Sequence, residues 1–197
     1  MAGSASKSFS LILLALSFYF NSSSAARITP QSSTEFIRTS CSTTTYPKLC
    51  YNSLSSHSST IKTSPKLLVN AALHVTLSSA KSTSTKMSSL SRSHGLKPRE
   101  VSAMKDCVEL LRDAVEEIRK SIDELSHDKQ SDFRLMINDV QTWVSAAMTD
   151  ESTCTDGFEE NGMNGSLKTA VNGRIVHIAQ MTSNALALIN NYGVLHG

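Results

Sequence analysis

Apolar residues recur at helical spacing over most of the chain that follows residue 64. The clearest pattern follows Pro98, where apolar residues alternate at intervals of three and four: Val101, Met104, Val108, Leu111, Val115, Ile118, Ile122 and Leu125. Such a heptad stripe predicts a long helix that buries one face. A third segment repeats the spacing at Phe133, Ile137, Val140, Val144 and Ala147.

A first helix is predicted to begin at Ser64-Pro65, because Ser64 can cap a helix and Pro65 suits its first position. It runs to about Ser93 and stops at Gly95. Its apolar positions are Leu73, Leu77, Ala80 and Met87. The second half is rich in Ser and Thr and has weak helical propensity, so a flexible linker is the alternative there.

The fourth predicted helix extends from about Ser166 to Tyr192. Its core positions are predicted to be Val171, Ile175, Ile178, Thr182, Ala185, Ile189 and Tyr192. Alternating strand patterns of useful length are absent from the sequence. Four helices with short connections favour an all-α fold, an antiparallel up-down-up-down four-helix bundle over residues 64–197.

The first 26 residues have the order of a secretory signal peptide. Lys7 is the only charged side chain before Arg27, and it precedes an apolar stretch at 11–20 and small residues at 22–26. A stretch of about ten residues is too short to span a bilayer as a helix, although a membrane anchor is the alternative. We expect cleavage after Ala25 or Ala26 and a secreted, extracellular mature chain.

Secretion places the four cysteines in an oxidising environment, where two disulfides with three possible pairings are expected. Pairing near neighbours gives Cys41–Cys50 and Cys107–Cys154. The second pair joins places that are adjacent in antiparallel helices. Loop closure alone predicts about 2.7 kcal/mol of stabilisation for the short loop and about 4 kcal/mol for the long one. Residues 27–63 are predicted to form a helical hairpin that the first bridge staples and that packs on one end of the bundle.

Composition and motifs offer little catalytic chemistry. With 19 Lys and Arg against 17 Asp and Glu, the net charge of +2 is too small to attract nucleic acid. The sequence lacks a Cys-x-x-Cys pair, a Gly-x-Ser-x-Gly elbow, a His-x-x-x-His pair and a Gly-rich phosphate loop. We therefore expect no metal, cofactor or catalytic residue. Asn164 begins a glycosylation sequon.

Three carboxylates on the second predicted helix form an outward row. Glu109, Asp113 and Glu116 stand at positions i, i+4 and i+7. The row is a candidate glycosidase-type pair, cation site or docking stripe, and an ordinary solvated face is the alternative. Trp143 lies off the stripe of the third helix and is predicted to pack in the core beside the Cys107–Cys154 bridge.

Several runs resemble the plant invertase and pectin methylesterase inhibitor family. They are DVQTWVSAAMTDESTCTDGF at 139–158, AMKDC at 103–107, DAV at 113–115, TSNALALIN at 182–190 and CSTTTYPKLC at 41–50. The resemblance extends from about Glu35 to Tyr192. It implies a four-helix bundle with an N-terminal hairpin and two sequential disulfides. It also implies a protein that is not an enzyme but binds a cell-wall carbohydrate-active enzyme one to one and covers its substrate cleft.

Within this resemblance, pectin methylesterase is the favoured target and acid invertase is the alternative. Invertase inhibitors of the family typically carry Pro-Lys-Phe, whereas both Pro-Lys pairs here continue to Leu, at Leu49 and Leu67. The resemblance implies that Glu109, Asp113 and Glu116 face the esterase, with Thr153 and Asp156 around the third-helix cysteine. Such a contact should weaken as salt screens it.

The resemblance further implies a free-standing inhibitor in the apoplast, because the chain ends at Gly197 and the same module also serves as the pro-region of some esterases. We expect no nucleic-acid partner and no membrane partner once the signal peptide is removed. Two other classes stay open, a bundle that carries a small apolar ligand and a hydrolase that uses the helix-two carboxylates. The effect of pH on the complex is also open in sign.

Overall fold

The computed structural model describes residues 30–126, 132–160 and 165–196. The N-terminal part contains α1 (Pro30–Cys41), α2 (Pro47–Leu54), a 3₁₀ turn (Ser55–His57) and α3 (Ser58–Ile61). The long helices are α4 (Pro65–Leu90), α5 (Pro98–Ser126), α6 (Phe133–Glu160) and α7 (Ser166–His196). The predicted signal peptide and Asn164 lie outside the described residues.

The four long helices close into one bundle. Each contacts the next along the chain, and α4 also contacts α7, so the helices form a ring around a shared core. The described residues contain no β-strand. The prediction of an all-α, antiparallel up-down-up-down four-helix bundle with an N-terminal helical hairpin and two disulfides is confirmed.

Helix α4 begins at the predicted signal. Ser64 is extended and its hydroxyl accepts a hydrogen bond from the backbone N–H of Leu67 at 3.4 Å. The helix continues through its Ser/Thr-rich half to Leu90, so the linker alternative is wrong. Gly95 follows at φ +84°, a left-handed conformation that other residues adopt only at a cost.

The predicted core positions of α4 and α7 are all buried. On α5 the prediction is wrong at Val101 in the first turn, which is 46% exposed, whereas Val115 is half-buried and packs against the core. The buried face of α5 instead includes a second row of small side chains at heptad spacing, Cys107, Ala114 and Ser121. Small residues let neighbouring helices approach closely, and their weak hydrophobicity hides them from an apolar pattern.

The N-terminal hairpin sits against α4 and α7. Its two helices are joined by the Cys41–Cys50 disulfide, with a Cα–Cα distance of 5.6 Å. The buried amide of Asn184 fastens the hairpin loop to α7 through two hydrogen bonds. The N–H of Tyr46 donates to Asn184 Oδ1 and Asn184 Nδ2 donates to the carbonyl of Tyr46, each at 3.0 Å.

The longer disulfide joins α5 to α6. Cys107 and Cys154 lie 4.5 Å apart at their Cα atoms, within a core cluster that contains Phe158. Trp143 is half-buried and belongs to neither core cluster. It precedes Cys154 by eleven residues, which is about 16 Å along the helix, so the prediction that it packs beside the bridge is wrong.

An apolar cavity of about 350 Å³ lies at the hairpin end of the molecule. Its lining includes Phe36 of α1, Leu68 of α4 and Leu195 of α7. The exposed side chain of Leu195 places this cavity at the surface rather than among the four long helices. A bundle that carries a small apolar ligand would need a cavity among its four long helices. This surface cavity therefore gives the ligand-carrier hypothesis little support.

Candidate functional site

The five residues expected to face a partner are all exposed. Glu109, Asp113 and Glu116 lie on α5, and Thr153 and Asp156 lie on α6. These two helices are neighbours and are covalently joined. The candidate site is therefore the outer surface of the α5–α6 pair.

The Cys107–Cys154 bridge decides which of these residues lie side by side. In antiparallel helices, residues that follow Cys107 run alongside residues that precede Cys154. Glu109 and Asp113 therefore share one side of the bridge with Thr153. Asp156 follows Cys154 and lies just beyond the bridge, one helical turn from Thr153 on α6.

Glu116 differs from its two predecessors in its pairing. Its carboxylate forms an ion pair with Arg119 one turn later, and both side chains are about half exposed. Glu109 and Asp113 form no ion pair with a cation among the residues that the structure describes. Free negative charge on this row is consequently concentrated at Glu109 and Asp113.

Two carboxyl groups that the sequence analysis missed stand beside this row. Glu117 of α5 and Asp150 of α6 are partly buried, and they stand close enough for the charge of Asp150 to act on Glu117. Burial, followed by the charge of Asp150, raises the pKa of Glu117 to about 7. Burial and the charge of Asp113 raise the pKa of Asp150.

The surroundings of Glu117 favour its neutral form. Glu117 Oε2 is buried and receives no hydrogen bond from a donor. A carboxylate that is partly buried beside a second acidic group and lacks a donor is unfavourable, so Glu117 holds its proton up to a pKa of about 7.

A third missed carboxyl, Glu151, is fully buried beside α7. Its Oε1 lies 2.9 Å from Thr182 Oγ1, which also lies 3.0 Å from the carbonyl oxygen of Ile178. The one hydroxyl proton of Thr182 cannot serve both oxygens, so a proton on Glu151 completes the network. Consistently, burial raises the pKa of Glu151 to about 8, although the hydrogen bond from Thr182 opposes the rise.

Hydroxyl side chains cover the exposed face of α6 near Cys154. Thr153 donates to the carbonyl of Thr149 at 2.8 Å, and Ser152 donates to the same carbonyl at 2.9 Å. Thr155 likewise donates to the carbonyl of Ser152 at 2.7 Å. These bonds hold the hydroxyls against the helix and leave their lone pairs outward, so a partner that supplies donors would find them already oriented.

Charge distinguishes this helix pair from the rest of the bundle. Helix α5 contains eight Asp and Glu against five Lys and Arg, and α6 contains six against one. No group of three His, Cys, Asp or Glu side chains within the described ranges is arranged to hold a metal ion. Nor does any described helix have the length and apolar character needed to cross a membrane.

The positions of Glu117 and Asp150 were within reach of the sequence. Pairing Cys107 with Cys154 sets the register of α5 against α6, and that register places 113–117 opposite about 144–148. Because side chains on a helix lean toward its N-terminus, Glu117 and Asp150 then lean toward each other. The row of exposed carboxylates at Glu109, Asp113 and Glu116 lies on α5 alone. A count of charges across both helices would have located the acidic surface.

Comparisons with known proteins agree with this fold. Residues 35–188 match the family model of the plant invertase/pectin methylesterase inhibitor. The chain is 43% identical over 165 residues to a 21 kDa protein of Daucus carota, covering 82% of this chain and 86% of that one. It is 41% identical over 188 residues to pectinesterase inhibitor 11 of Arabidopsis thaliana, covering 92% and 93%.

A solved structure, a mutant form of a pectin methylesterase inhibitor from Arabidopsis, superposes with a TM-score of 0.61 at 21% identity. The match covers 76% of this chain and 92% of that one, and it supports the fold alone. The family match over most of the chain, together with relatives above 40% identity, carries the assignment. The chain belongs to the plant invertase/pectin methylesterase inhibitor family.

Proposed function

We propose that this protein inhibits a plant pectin methylesterase by binding it one to one through the α5–α6 surface and covering its pectin-binding cleft. Family membership supports an inhibitor rather than an enzyme. Relatives that match over almost their full length are named pectinesterase inhibitors. The single observation that carries the choice of surface is the exposed row on α5, with Glu109 and Asp113 free of ion pairs.

The physical basis of binding is electrostatic complementarity on a rigid support. The Cys107–Cys154 bridge fixes α5 against α6, so little order has to be created when the surface meets its partner. Negative charge at Glu109 and Asp113 favours an enzyme surface that carries cations or N–H donors. Thr153 adds oriented oxygens to the same side of the bridge.

Inhibition then follows from steric exclusion. A helix pair that lies along the cleft of the esterase occupies the space that the polymer needs. The inhibitor itself supplies no reacting group in this scheme, because its carboxylates only contact the enzyme. We place this interaction in the cell wall, after secretion and removal of residues 1–26.

Acid invertase is the second candidate target, since the family name includes both enzymes. Both Pro-Lys pairs of the chain continue to Leu rather than Phe, at Leu49 and Leu67. Leu67 is 40% exposed at the start of α4, remote in the sequence from the acidic row. An invertase complex would therefore use a different part of the molecule.

Parallel titrations test the proposal. The disulfide-bonded chain is added to a plant pectin methylesterase and to a plant acid invertase, and residual activity is recorded between about pH 5 and 7. We expect the esterase alone to lose activity, with an equivalence point near one inhibitor per enzyme and a one-to-one mass by sedimentation. Pectin added beforehand should slow inhibition, because it occupies the same cleft.

Other results would overturn the proposal. Inhibition of invertase alone would transfer the function to the second candidate. Inhibition of the esterase that is insensitive to added pectin would exclude cleft blocking. A complex of two inhibitors per enzyme would contradict the proposed stoichiometry.

A further inference from the structure

Helices α4 and α7 contain no acidic residue. Sixteen of the 17 Asp and Glu side chains lie between Glu100 and Glu160, and the remaining one is Glu35. Helix α4 carries Lys66, Lys81 and Lys86, and α7 carries Lys168 and Arg174. Because α4 contacts α7 and α5 contacts α6, the bundle has a cationic side opposite its acidic side.

An open groove of about 470 Å³ runs between α4 and α7 on the cationic side. Its polar lining consists of three basic side chains and several hydroxyls, among them Lys86, Arg174, His177, Ser78, Ser79 and Ser82. On α4 the lining extends from Val75 to Lys86, a separation of eleven residues and about 16 Å along the helix. The groove is therefore long enough for several units of an extended polymer.

The polar groups of this groove are not used by the fold. Among the described residues, Lys86 and Arg174 form no ion pair. Elsewhere on α4, Thr76 and Thr85 donate to the carbonyl four residues earlier, at 2.8 and 2.9 Å. The hydroxyls of Ser78, Ser79 and Ser82 form no hydrogen bond with any described residue. The groove thus offers donors that lack acceptors.

We propose that this groove binds a polysaccharide that carries free carboxylates, of the kind produced when methyl esters are removed from pectin. Lys86 and Arg174 would pair with carboxylates, since ionised donor–acceptor pairs give the stronger hydrogen bonds. The serine hydroxyls would bond to sugar hydroxyls between the charges. The choice of polymer draws on the family of this chain, but the site does not depend on which enzyme the acidic side inhibits.

An acidic protein surface, including that of a second copy of this chain, is a less suitable occupant. The centre of a protein interface is built on large apolar or aromatic anchors. The apolar lining residues of this groove are Val75, which is half-buried, and Met181, which is buried. Cations and hydroxyls without an exposed apolar anchor fit a hydrated, charged polymer better.

Binding of polygalacturonate, compared with highly methylesterified pectin, tests the proposal. Affinity is measured by calorimetry at low ionic strength with the full disulfide-bonded chain. We expect polygalacturonate to bind at least about tenfold more tightly than the esterified polymer and to weaken as salt is added. The double variant Lys86→Gln/Arg174→Gln should lose about tenfold or more in affinity.

A matched control removes the same charge from the other side of the bundle. Lys105 and Arg112 are exposed on α5, so Lys105→Gln/Arg112→Gln has the same net charge as the groove variant. We expect this control to bind polygalacturonate within about twofold of the unmodified chain. The groove variant lies outside the α5–α6 surface proposed to contact the esterase, so it should keep its inhibition of the enzyme.

Several outcomes would overturn the proposal that the groove binds a carboxylated polysaccharide. An equal loss of affinity for polygalacturonate in the groove variant and in the control would show that the polymer is attracted by net charge alone. Equal binding of the esterified polymer would show that carboxylates are not recognised. A groove variant that changes the sedimentation of the free chain, without changing polymer affinity, would make this face an interface between copies. Failure of esterase inhibition with polymer binding intact would instead count against the proposed function only.

Discussion

Helices α5 and α6 carry carboxylates and share a disulfide, whereas α4 and α7 carry cations, contain no cysteine and are held together without a covalent link. Both pairs contribute to both buried core clusters, with long helices that bury a row of apolar side chains. The difference shows that one apolar pattern can support two unlike surfaces. The surface chemistry is therefore independent of the fold and can be altered one side at a time.

Removing the disulfide between α5 and α6 should have the largest effect, because it takes away the covalent link that α4 and α7 lack. Cys107→Ser with Cys154→Ser opens a loop with a sequence separation of 47 residues. The free energy of unfolding should fall by about 4 kcal/mol, because the unfolded chain regains loop entropy. The matched variant Cys41→Ser with Cys50→Ser opens a separation of only 9 residues and should lose about 2.7 kcal/mol. Denaturant unfolding followed by circular dichroism measures both, and an inverted order would contradict the loop-entropy argument.

Reversing charge on the acidic side tests its proposed role directly. Glu109→Lys with Asp113→Lys should raise the esterase inhibition constant by roughly 100-fold, about 2.7 kcal/mol, because attraction is replaced by repulsion. The matched control is Glu124→Lys with Asp139→Lys, which changes the same two-helix unit by the same charge near its other end. Glu124 lies about 22 Å along α5 from Glu109. Unchanged inhibition by a folded Glu109/Asp113 variant would remove this row from the interface.

A rise in pH should lower the free energy of unfolding through buried carboxyl groups of α5 and α6. The folded chain holds a proton on Glu151 up to a pKa of about 8, whereas the unfolded chain releases it near the ordinary value of 4.5. Proton binding thus favours the folded state fully below pH 4.5, and this contribution is lost as the pH rises through 8. We expect the free energy of unfolding to fall by roughly 2–4 kcal/mol over that interval.

The variant Glu151→Gln serves as the diagnostic for that titration. Its amide cannot ionise and can still donate to Thr182, so the decline between pH 4.5 and 8 should flatten. Glu117, whose pKa is raised to about 7, should leave a smaller residual slope. The exposed Glu109→Gln is the control and should leave the profile unchanged. A Glu151→Gln profile as steep as that of the unmodified chain would refute the assignment.

The smallest expected effect concerns the hairpin attachment on the cationic side. Asn184→Ala leaves the N–H and carbonyl of Tyr46 without their partner and should cost about 2 kcal/mol. Asn191→Ala removes one exposed hydrogen bond, from Asn191 Nδ2 to Thr43 Oγ1 at 2.9 Å, and should cost less than about 1 kcal/mol. Denaturant unfolding distinguishes the two, and equal losses would show that the buried amide has no special part in holding the hairpin.

The fold was largely predictable because long heptad stripes leave few other architectures open. All seven predicted core positions of α7 are buried, from Val171 to Tyr192. Val101 was wrongly predicted to be buried because it lies in the first turn of α5, at the end of the bundle where α4 stops at Leu90. Ala114 and Ser121 were missed because small residues contribute little to an apolar pattern although they are fully buried.

The candidate site was less predictable than the fold. Exposure of Glu109 and Asp113 follows from helical periodicity on one helix. The Glu117–Asp150 pair depends on the register between two helices, and the neutral state of Glu151 depends on burial that only packing creates. Periodicity therefore identifies which residues face outward, while tertiary contacts decide which carboxyl groups hold a proton.

Asn184, which attaches the hairpin loop to α7, forms its hydrogen bonds with backbone groups rather than with a side chain. Asn184 bonds to the N–H and carbonyl of residue 46, and the ring of Tyr46 is 38% exposed. These two bonds do not depend on which side chain stands at position 46, whereas the neighbouring Thr45 Oγ1 accepts a hydrogen bond from Ser183 Oγ at 3.5 Å. Position 46 is thus the place in the loop between the first two cysteines where a foreign residue can be introduced while the backbone keeps its anchor.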